Sequence, residues 1–416
     1  MGGGGSDEPL DGIECTRCQA QDWLLRRLLE DARVQGYAIM QLETLTVMTE
    51  APPLYRCARM VLTELAQVDA AWIDHALARA GVIDAGAVAS IDVDPASART
   101  WSRITRIGVR YKNGLQGRAP ARLLLKMCGS EGDAFGRSEV DYYGRDYRGA
   151  ADAPLVRCFD AAYADSPRRY HLLLEDLSAT HSNADSVTPD EWYARALAES
   201  LAALHAHRWG AQRLLEVGRG LPARDEIDSY VGHVRQGLEP MLASVGDSLA
   251  PAWRPRLHAL FDRLAEDFAQ RAQDPHGIAL VHGDLNPGNI LVPHERIGPV
   301  LFVDRQPFDW SLTRWLAASD LACAMVPWWR TSVRRRLEPR VLAHYCESLQ
   351  RRGVRDYPLS RLQTDYRLCL ATTVAIPVEW CIRDADRDRM RWLWTRQLRR
   401  ALAAHEDWHR DERRLV

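Results

Sequence analysis

The sequence predicts an α+β chain with a small strand-rich part followed by a larger, mainly helical one. Three observations carry this. Residues 87–127 read as strands, with Ile104, Ile107 and Val109 on one and Arg122–Met127 on another. Far downstream, the apolar run Ile278–Val281, a polar turn and a second run, Ile290–Val292, read as strand, turn and strand. Between and after these, apolar residues recur at helical spacing, as in Leu197, Leu201 and Leu204.

Composition sets the outer limits. A chain of 416 residues is long enough for two or three domains. Its 46% hydrophobic and 26% charged residues are ordinary for a globular protein. A formal net charge of −2 gives no global electrostatic case for nucleic acid. No apolar run reaches the roughly 18 residues of a membrane span, so no membrane partner is expected. Nine cysteines, an odd number, point to free thiols in a reducing cytosol, hence a cytoplasmic protein. Cys15 and Cys18 form a C-x-x-C without a second pair at zinc spacing, so no metal or redox role is expected there. Met1–Ser6 fits the myristoylation pattern formally, but no basic patch or second lipid site follows, and a flexible tail is expected.

In chain order, residues 20–50 show helix-like spacing (Leu24, Leu25, Leu28, Leu29), and Pro52-Pro53 punctuates the chain. A helix carrying Trp72, Ile73 and Leu77 ends near Gly81. Thr188-Pro189-Asp190-Glu191 reads as a capping box with proline at the first helical position. A long helical stretch covers about 225–272, broken near Pro240 and Pro251. From 321 to 412 the chain is helical and rich in Trp and Arg; Arg334-Arg335-Arg336 reads as a solvated face, and most of the tryptophans as core.

The stretch around which the rest is organised is His282-Gly283-Asp284-Leu285-Asn286-Pro287-Gly288-Asn289. It carries an aspartate and, five residues on, an asparagine. The catalytic loop of protein kinases has the same Asp-x-x-x-x-Asn spacing. A third group is then expected at the end of a nearby strand, and Asp304 ends the run Val300–Val303. His282-Gly283-Asp284 with Pro287-Gly288-Asn289-Ile290-Leu291 resembles the motif of aminoglycoside phosphotransferases and their choline-kinase-like and ecdysteroid-kinase-like relatives. The resemblance covers roughly residues 68–412.

It implies a bilobal protein-kinase-like fold, with a small β-rich N-lobe and a large helical C-lobe. The expected limits are 1–67 for an N-terminal extension, 68–176 for a nucleotide-binding N-lobe and 177–416 for a catalytic and acceptor-binding C-lobe. Lys126, at the end of its apolar run, would align the nucleotide phosphates. Glu139 would pair with it, with Glu131 and Asp141 as rivals. Tyr170–Leu177 would be the hinge, where backbone groups from Glu175 to Leu177 meet the adenine edge. Asp284 would orient the acceptor hydroxyl and take its proton, while Asn289 and Asp304 would hold Mg2+. His282 would support the loop backbone. Asp320, in Asp320-Leu321-Ala322, would start a helix and brace that loop. His205 and His207 would pack behind the loop rather than bind metal.

Two departures from the protein-kinase pattern stand out. Pro95–Ser102, where a Gly-rich loop would cover the phosphates, contains no glycine. Arg305-Gln306 follows Asp304 in place of Phe-Gly.

The implied activity is transfer of the γ-phosphoryl of ATP or GTP to a hydroxyl of a small molecule. Two rivals remain. A nucleotide-binding pseudokinase acting as an interaction module would have lost Asp284, Asn289, Asp304 or Lys126, and none is lost. A true protein kinase needs room for an activation loop and a peptide groove, and the chain reaches Asp320 soon after Asp304. For the acceptor, Asp309-Trp310, Glu379-Trp380 and Arg383–Asp388 beside Trp392 and Trp394 suggest an amine-bearing or otherwise polar molecule. The competing reading has these charges paired on a wet helix and the tryptophans in the core.

Overall fold

The computed structural model describes residues 61–409, except 95–96, 99–101, 113–118 and 130–135. The glycine tail, Cys15-Cys18, the helix-like stretch 20–50, Pro52-Pro53, Glu131 and most of the Pro95–Ser102 loop lie outside the described residues.

Helix α1 (Ala70–Arg79) opens on Asp69, whose carboxylate accepts the Trp72 N–H at 2.7 Å. It turns away at Gly81, whose φ of 70° suits a residue without Cβ. The strands that follow are β1 (Val88–Val93), β2 (Ser97–Ala98), β3 (Arg103–Tyr111), β4 (Arg122–Gly129), β5 (Cys158–Asp165) and β6 (Arg168–Glu175). They form one antiparallel sheet in the order β1-β3-β4-β6-β5, with β2 on β3. Strand periodicity sorts their side chains. On β3, Thr105, Ile107 and Val109 are buried in alternation. On β4, Leu123 and Leu125 join a core with Ile73 and Leu77 of α1, whereas Cys128 joins a separate cluster with Val140. Lys126 is two residues from Cys128 and therefore shares its face.

Between β4 and β5 runs a short helix, α2 (Ser138–Asp141), continued by a π-helical turn over Tyr142–Asp146. After β6 come β7 (His181–Asn183) and the helical lobe: α3 (Glu191–His207), α4 (Gly210–Leu215), α5 (Arg224–Arg235), α6 (Leu238–Val245) and α7 (Trp253–Ala272). The strands β8 (Ile278–Leu280), β9 (Ile290–Pro293), β10 (Leu301–Phe302) and β11 (Arg314–Leu316) are inserted here. They pair as β10-β9-β7 and β11-β8. Helices α8 (Ala318–Met325), α9 (Thr331–Arg351), α10 (Leu359–Glu379), α11 (Asp384–Arg389) and α12 (Arg391–His409) complete the lobe. A single large core runs through it, with Leu197, Leu201 and Leu204 of α3 buried as their spacing predicts. The fold is bilobal and protein-kinase-like: a small antiparallel sheet lobe and a larger helical lobe.

Several local expectations are corrected. The cap of α3 is Asp190, which accepts the Tyr193 N–H at 3.0 Å, so Thr188 and Pro189 lie before the helix. The first break in 225–272 falls at Gln236-Gly237, and Pro240 sits in the first turn of α6, where its missing N–H is harmless. Asp320 is not the cap of α8; that position is Ala317. Arg334 is not solvated: it is 1% exposed and pairs with Glu338 at 2.7 Å and with Asp407.

Candidate active site

The strand–turn–strand over 278–293 carries the site. Ile278, Ala279, Leu280 and Val281 are all buried, which anchors one end of the turn; Ile290 and Val292 anchor the other. Gly283 has φ 82°, and a Cβ there would press on Gln306. The turn is closed by its own polar side chains. Asn286 accepts the Gly288 N–H at 2.9 Å and donates to Asp284 Oδ1 at 3.0 Å. Asn289 Nδ2 donates to the Asp284 carbonyl at 2.8 Å and to its Oδ2 at 3.0 Å. Both Asp284 oxygens are thus held by asparagine amides. Burial nevertheless keeps the carboxyl above its ordinary pKa.

His282 supports the turn in one tautomer. A carbonyl only accepts, so Nε2 at 2.8 Å from Val303 O carries the proton. A backbone N–H only donates, so Nδ1 at 3.3 Å from Asp284 N is bare. Burial, first of all, lowers the His282 pKa to about 4, in keeping with a neutral ring. Behind it, Asp320 accepts the His282 N–H at 2.7 Å and the Gly283 N–H at 3.0 Å. His205 Nε2 lies 3.0 Å from the same carboxylate, and its Nδ1 2.8 Å from Tyr345 Oη. Burial would raise the Asp320 pKa, but its hydrogen bond with His205, together with the charges of His205 and His282, holds it below the usual range. Asp320 therefore braces the turn from inside a helix, and His205 is structural.

Asp304 meets this turn through hairpin register. Leu301 pairs with Leu291 and Phe302 with Ile290, so Val303 N reaches Asn289 O at 3.0 Å and Asn289 Nδ2 lies 3.3 Å from Asp304 O. Asp304 has φ 58°, a left-handed backbone that a non-glycine residue adopts at a cost of roughly 1–3 kcal/mol and that clusters at functional sites.

Lys126 arrives from the other lobe. Its Nζ lies 2.9 and 2.8 Å from the two Glu139 oxygens and 3.0 Å from Asp304 Oδ1. Tyr170 Oη donates to Glu139 at 2.5 Å. Burial alone would push the Lys126 pKa down; the carboxylates of Asp304 and Glu139 outweigh it and hold the ammonium charged. Of the rivals for this pairing, Asp141 instead meets Arg137, Arg145 and Arg219. The structure thus brings Lys126, Glu139, Asp284, Asn289 and Asp304 together.

Glu175 and Leu177 lie outside that cluster, on the crossover between lobes. Glu175 ends β6 opposite Leu123. Leu177 packs with Leu174, Leu291 and Val303, and its carbonyl accepts the Thr180 and His181 N–H groups at 2.9 Å each.

Near Asp284 the late helices contribute Glu379, the last residue of α10. Its carboxylate makes no hydrogen bond or contact ion pair among the described residues. Burial, and then the charge of Asp284, raises its pKa to about 8. Tyr230 of α5 senses the same carboxylate. Trp310 stacks on His233 at 4.0 Å and, more loosely, on Tyr230 at 6.4 Å. The end of α10 abuts the start of α6 so closely that Gly237 has no room for a Cβ against the Val378 carbonyl oxygen. The neighbouring candidates behave otherwise. Asp309 pairs with Arg168 at 2.6 Å, Trp394 is buried, and Arg383–Arg389 pair among themselves through Asp384 and Asp386.

The sequence reading missed Asn286 and the reach of Arg305. Asn286 carried one local signal, an asparagine two residues after the aspartate. Arg305 carried none beyond standing where an aromatic residue was expected.

Among the described residues no helix is long and apolar enough to cross a membrane. Nor do they include a cluster of three or more His, Cys, Asp or Glu side chains arranged to hold a metal. Three solved structures are similar in part to this chain. A Plasmodium vivax ethanolamine kinase is 13% identical over 76% of this chain and 84% of its own, with a TM-score of 0.49. A Cryptosporidium parvum choline kinase is 13% identical over 74% and 88%, with a TM-score of 0.44. A spectinomycin phosphotransferase, solved with ADP and spectinomycin, is 11% identical over 81% and 98%, with a TM-score of 0.45. No curated protein sequence matches the chain significantly. Residues 147–355, half of the chain, match the sequence profile of the ecdysteroid kinase-like family, and the chain belongs to that family.

Proposed function

We propose that this protein is a phosphotransferase that moves the γ-phosphoryl of ATP or GTP to a hydroxyl of a small molecule. The observation that carries the reading is the convergence of Lys126, paired with Glu139, on Asp304, beside an Asp284 held by Asn286 and Asn289. Phosphoryl transfer asks little covalent chemistry of a protein; it asks for positioning and charge neutralisation. Lys126 grips the α- and β-phosphates. The backbone from Glu175 to Leu177 faces the adenine edge. Asp284 orients the acceptor hydroxyl and accepts its proton, a role that its raised pKa favours.

The donor set suits Mg2+. Asn289 spends its amide N–H groups on Asp284 and Asp304, so its Oδ1 is turned to another purpose, and Asp304 adds carboxylate oxygens. Such hard oxygen donors, few in number, match an ion that is shared with phosphates. When bound, the ion neutralises phosphate charge.

Glu379 bears on the acceptor. A carboxyl without a partner near Tyr230 and Asp284, which holds its proton in the free protein and can give it up to pair with a bound ammonium, favours an amine-bearing or otherwise polar alcohol. The test is a phosphate-transfer assay with ATP and GTP across amino alcohols, aminoglycosides, sugars, nucleosides, sterols and protein. Transfer to a small alcohol is expected. Nucleotide binding without transfer to any acceptor would instead favour an interaction module.

A further inference from the structure

We propose that Arg305 is a positioning residue that locks the Lys126–Glu139 pair to Asp304 through one buried guanidinium. The inference rests on the phosphotransferase reading above. Arg305 follows Asp304 directly and is 0% exposed. Its Nε donates to Val281 O at 3.2 Å, Nη1 to Ser138 O at 3.3 Å and Nη2 to Thr313 O at 3.3 Å. Val281 precedes the His282–Asp284 turn, and Ser138 precedes Glu139. The fork therefore touches a backbone carbonyl next to Glu139 and another next to the His282–Asp284 turn.

The same group grips the Glu139 segment a second time. Its Nη1 lies 3.7 Å from Asp146 Oδ2, at the end of the π turn that continues α2. Its plane lies over the Tyr142 ring at 4.8 Å from the centroid. Asp146, also 0% exposed, is shared with Arg219 at 2.9 Å and Arg145 at 3.0 Å. One side chain thus holds both ends of the element that presents Glu139. A further tie runs alongside, from Gly136 N–H to Pro307 O at 2.9 Å.

A movement of α2 away from the sheet would separate Glu139 from Lys126 and strip Arg305 of Ser138 and Asp146 together. Conversely, releasing Arg305 would free the left-handed backbone at Asp304 that its neighbour fixes. An apolar side chain at 305 could fill the space but has no directional contacts, whereas the planar guanidinium defines three at once. A buried charge of this kind is a poor device for stability alone.

The test uses Arg305→Met, which keeps bulk and removes every donor, with Arg305→Lys as the charge-retaining companion. Amide hydrogen exchange of the nucleotide-free protein is read over residues 136–147. Calorimetry measures ATP affinity with and without Mg2+. Arg305→Met should speed exchange in that segment about tenfold, leave α3 unchanged, and weaken Mg2+-dependent ATP binding by about 10–100-fold, the usual scale for a supporting contact behind metal ligands. Combined with Glu139→Gln, it should add little further loss, since both act on one element. If Arg305→Met does not fold, the same readings on Arg305→Lys decide the matter, with a smaller shift in the same direction. Wild-type affinity and exchange in a folded variant, full additivity with Glu139→Gln, or a general loss of thermal stability at unchanged affinity would each overturn the proposal. Failure of the wild-type protein to bind Mg2+-ATP would overturn the phosphotransferase reading itself, and the role of Arg305 with it; the wild-type measurement keeps the two failures apart.

Discussion

The two sides of the cleft are built in opposite ways. Around Lys126 each charge is already answered: the ammonium meets Glu139 and Asp304, and the amides of Asn286 and Asn289 hold Asp284. At Glu379 a carboxyl stands without a contact partner and with a raised pKa. The first arrangement is organised before any ligand arrives. The second leaves unspent interaction for whatever ligand fits. A phosphate-bearing donor of fixed chemistry suits the first, and a ligand recognised by its own charge suits the second.

The largest effect should come from Asp284→Asn. It should lower kcat by about 10²–10⁴, the scale of a lost general base, with little change in nucleotide affinity. Near-normal turnover would remove Asp284 from its role and dissolve the contrast between the two sides.

Next comes Lys126→Ala. It strands two carboxylates against each other, so the fold should lose about 3–5 kcal/mol, the cost of breaking a buried pair from one side. ATP use and turnover should fall together, because a phosphate contact acts in both ground and transition states. A change confined to the acceptor KM, with stability intact, would place Lys126 elsewhere.

His282 gives a pH signature of the organised side. Its pKa falls from 6.5 to about 4 on folding, so between these values the unfolded chain binds the extra proton. Stability from this residue is complete above pH 6.5 and drains away as pH falls towards 4, by roughly 3 kcal/mol in all. Denaturant midpoints across this range should show the slope, and His282→Asn should flatten it.

The last expected effect has the opposite sign. The Glu379 pKa rises from 4.5 to about 8, so the folded chain holds the proton and stability falls as pH rises between those values. Glu379→Gln should therefore stabilise the free protein increasingly as pH rises from 4.5 towards 8. It should also lower kcat/KM for cationic acceptors more than for neutral ones of the same shape. Equal losses for both would show that Glu379 does not read charge.

What the sequence revealed follows the same division. Asp284 and Asn289 were legible because a five-residue spacing on one turn is local. Asp304 was legible because a strand end is a local signal, and Lys126 because a charge closing an apolar run is conspicuous. Glu379 was visible only as one candidate among several. Its difference from Asp309, which pairs with Arg168, depends on how α5, α8 and α10 pack, and no short spacing records that. Arg334 failed for a related reason. In a run of three arginines on a helix, one points inward with Leu337, Glu338 and Val341, and composition hides which one. Asp320 was rightly read as structural, but its partners, the N–H groups of His282 and Gly283, lie in a segment remote in sequence.

The close seat of Gly237 against the Val378 carbonyl has a consequence for how such a pocket changes over time. Val378 is the residue before Glu379, so a single methyl group added at position 237 must part the start of α6 from the end of α10, where that carboxyl sits. Under the proposed role of Glu379, acceptor preference would be adjustable from behind, at position 237. A lineage could acquire a new acceptor without altering any side chain in the pocket, and a laboratory selection for new acceptors should return substitutions at Gly237.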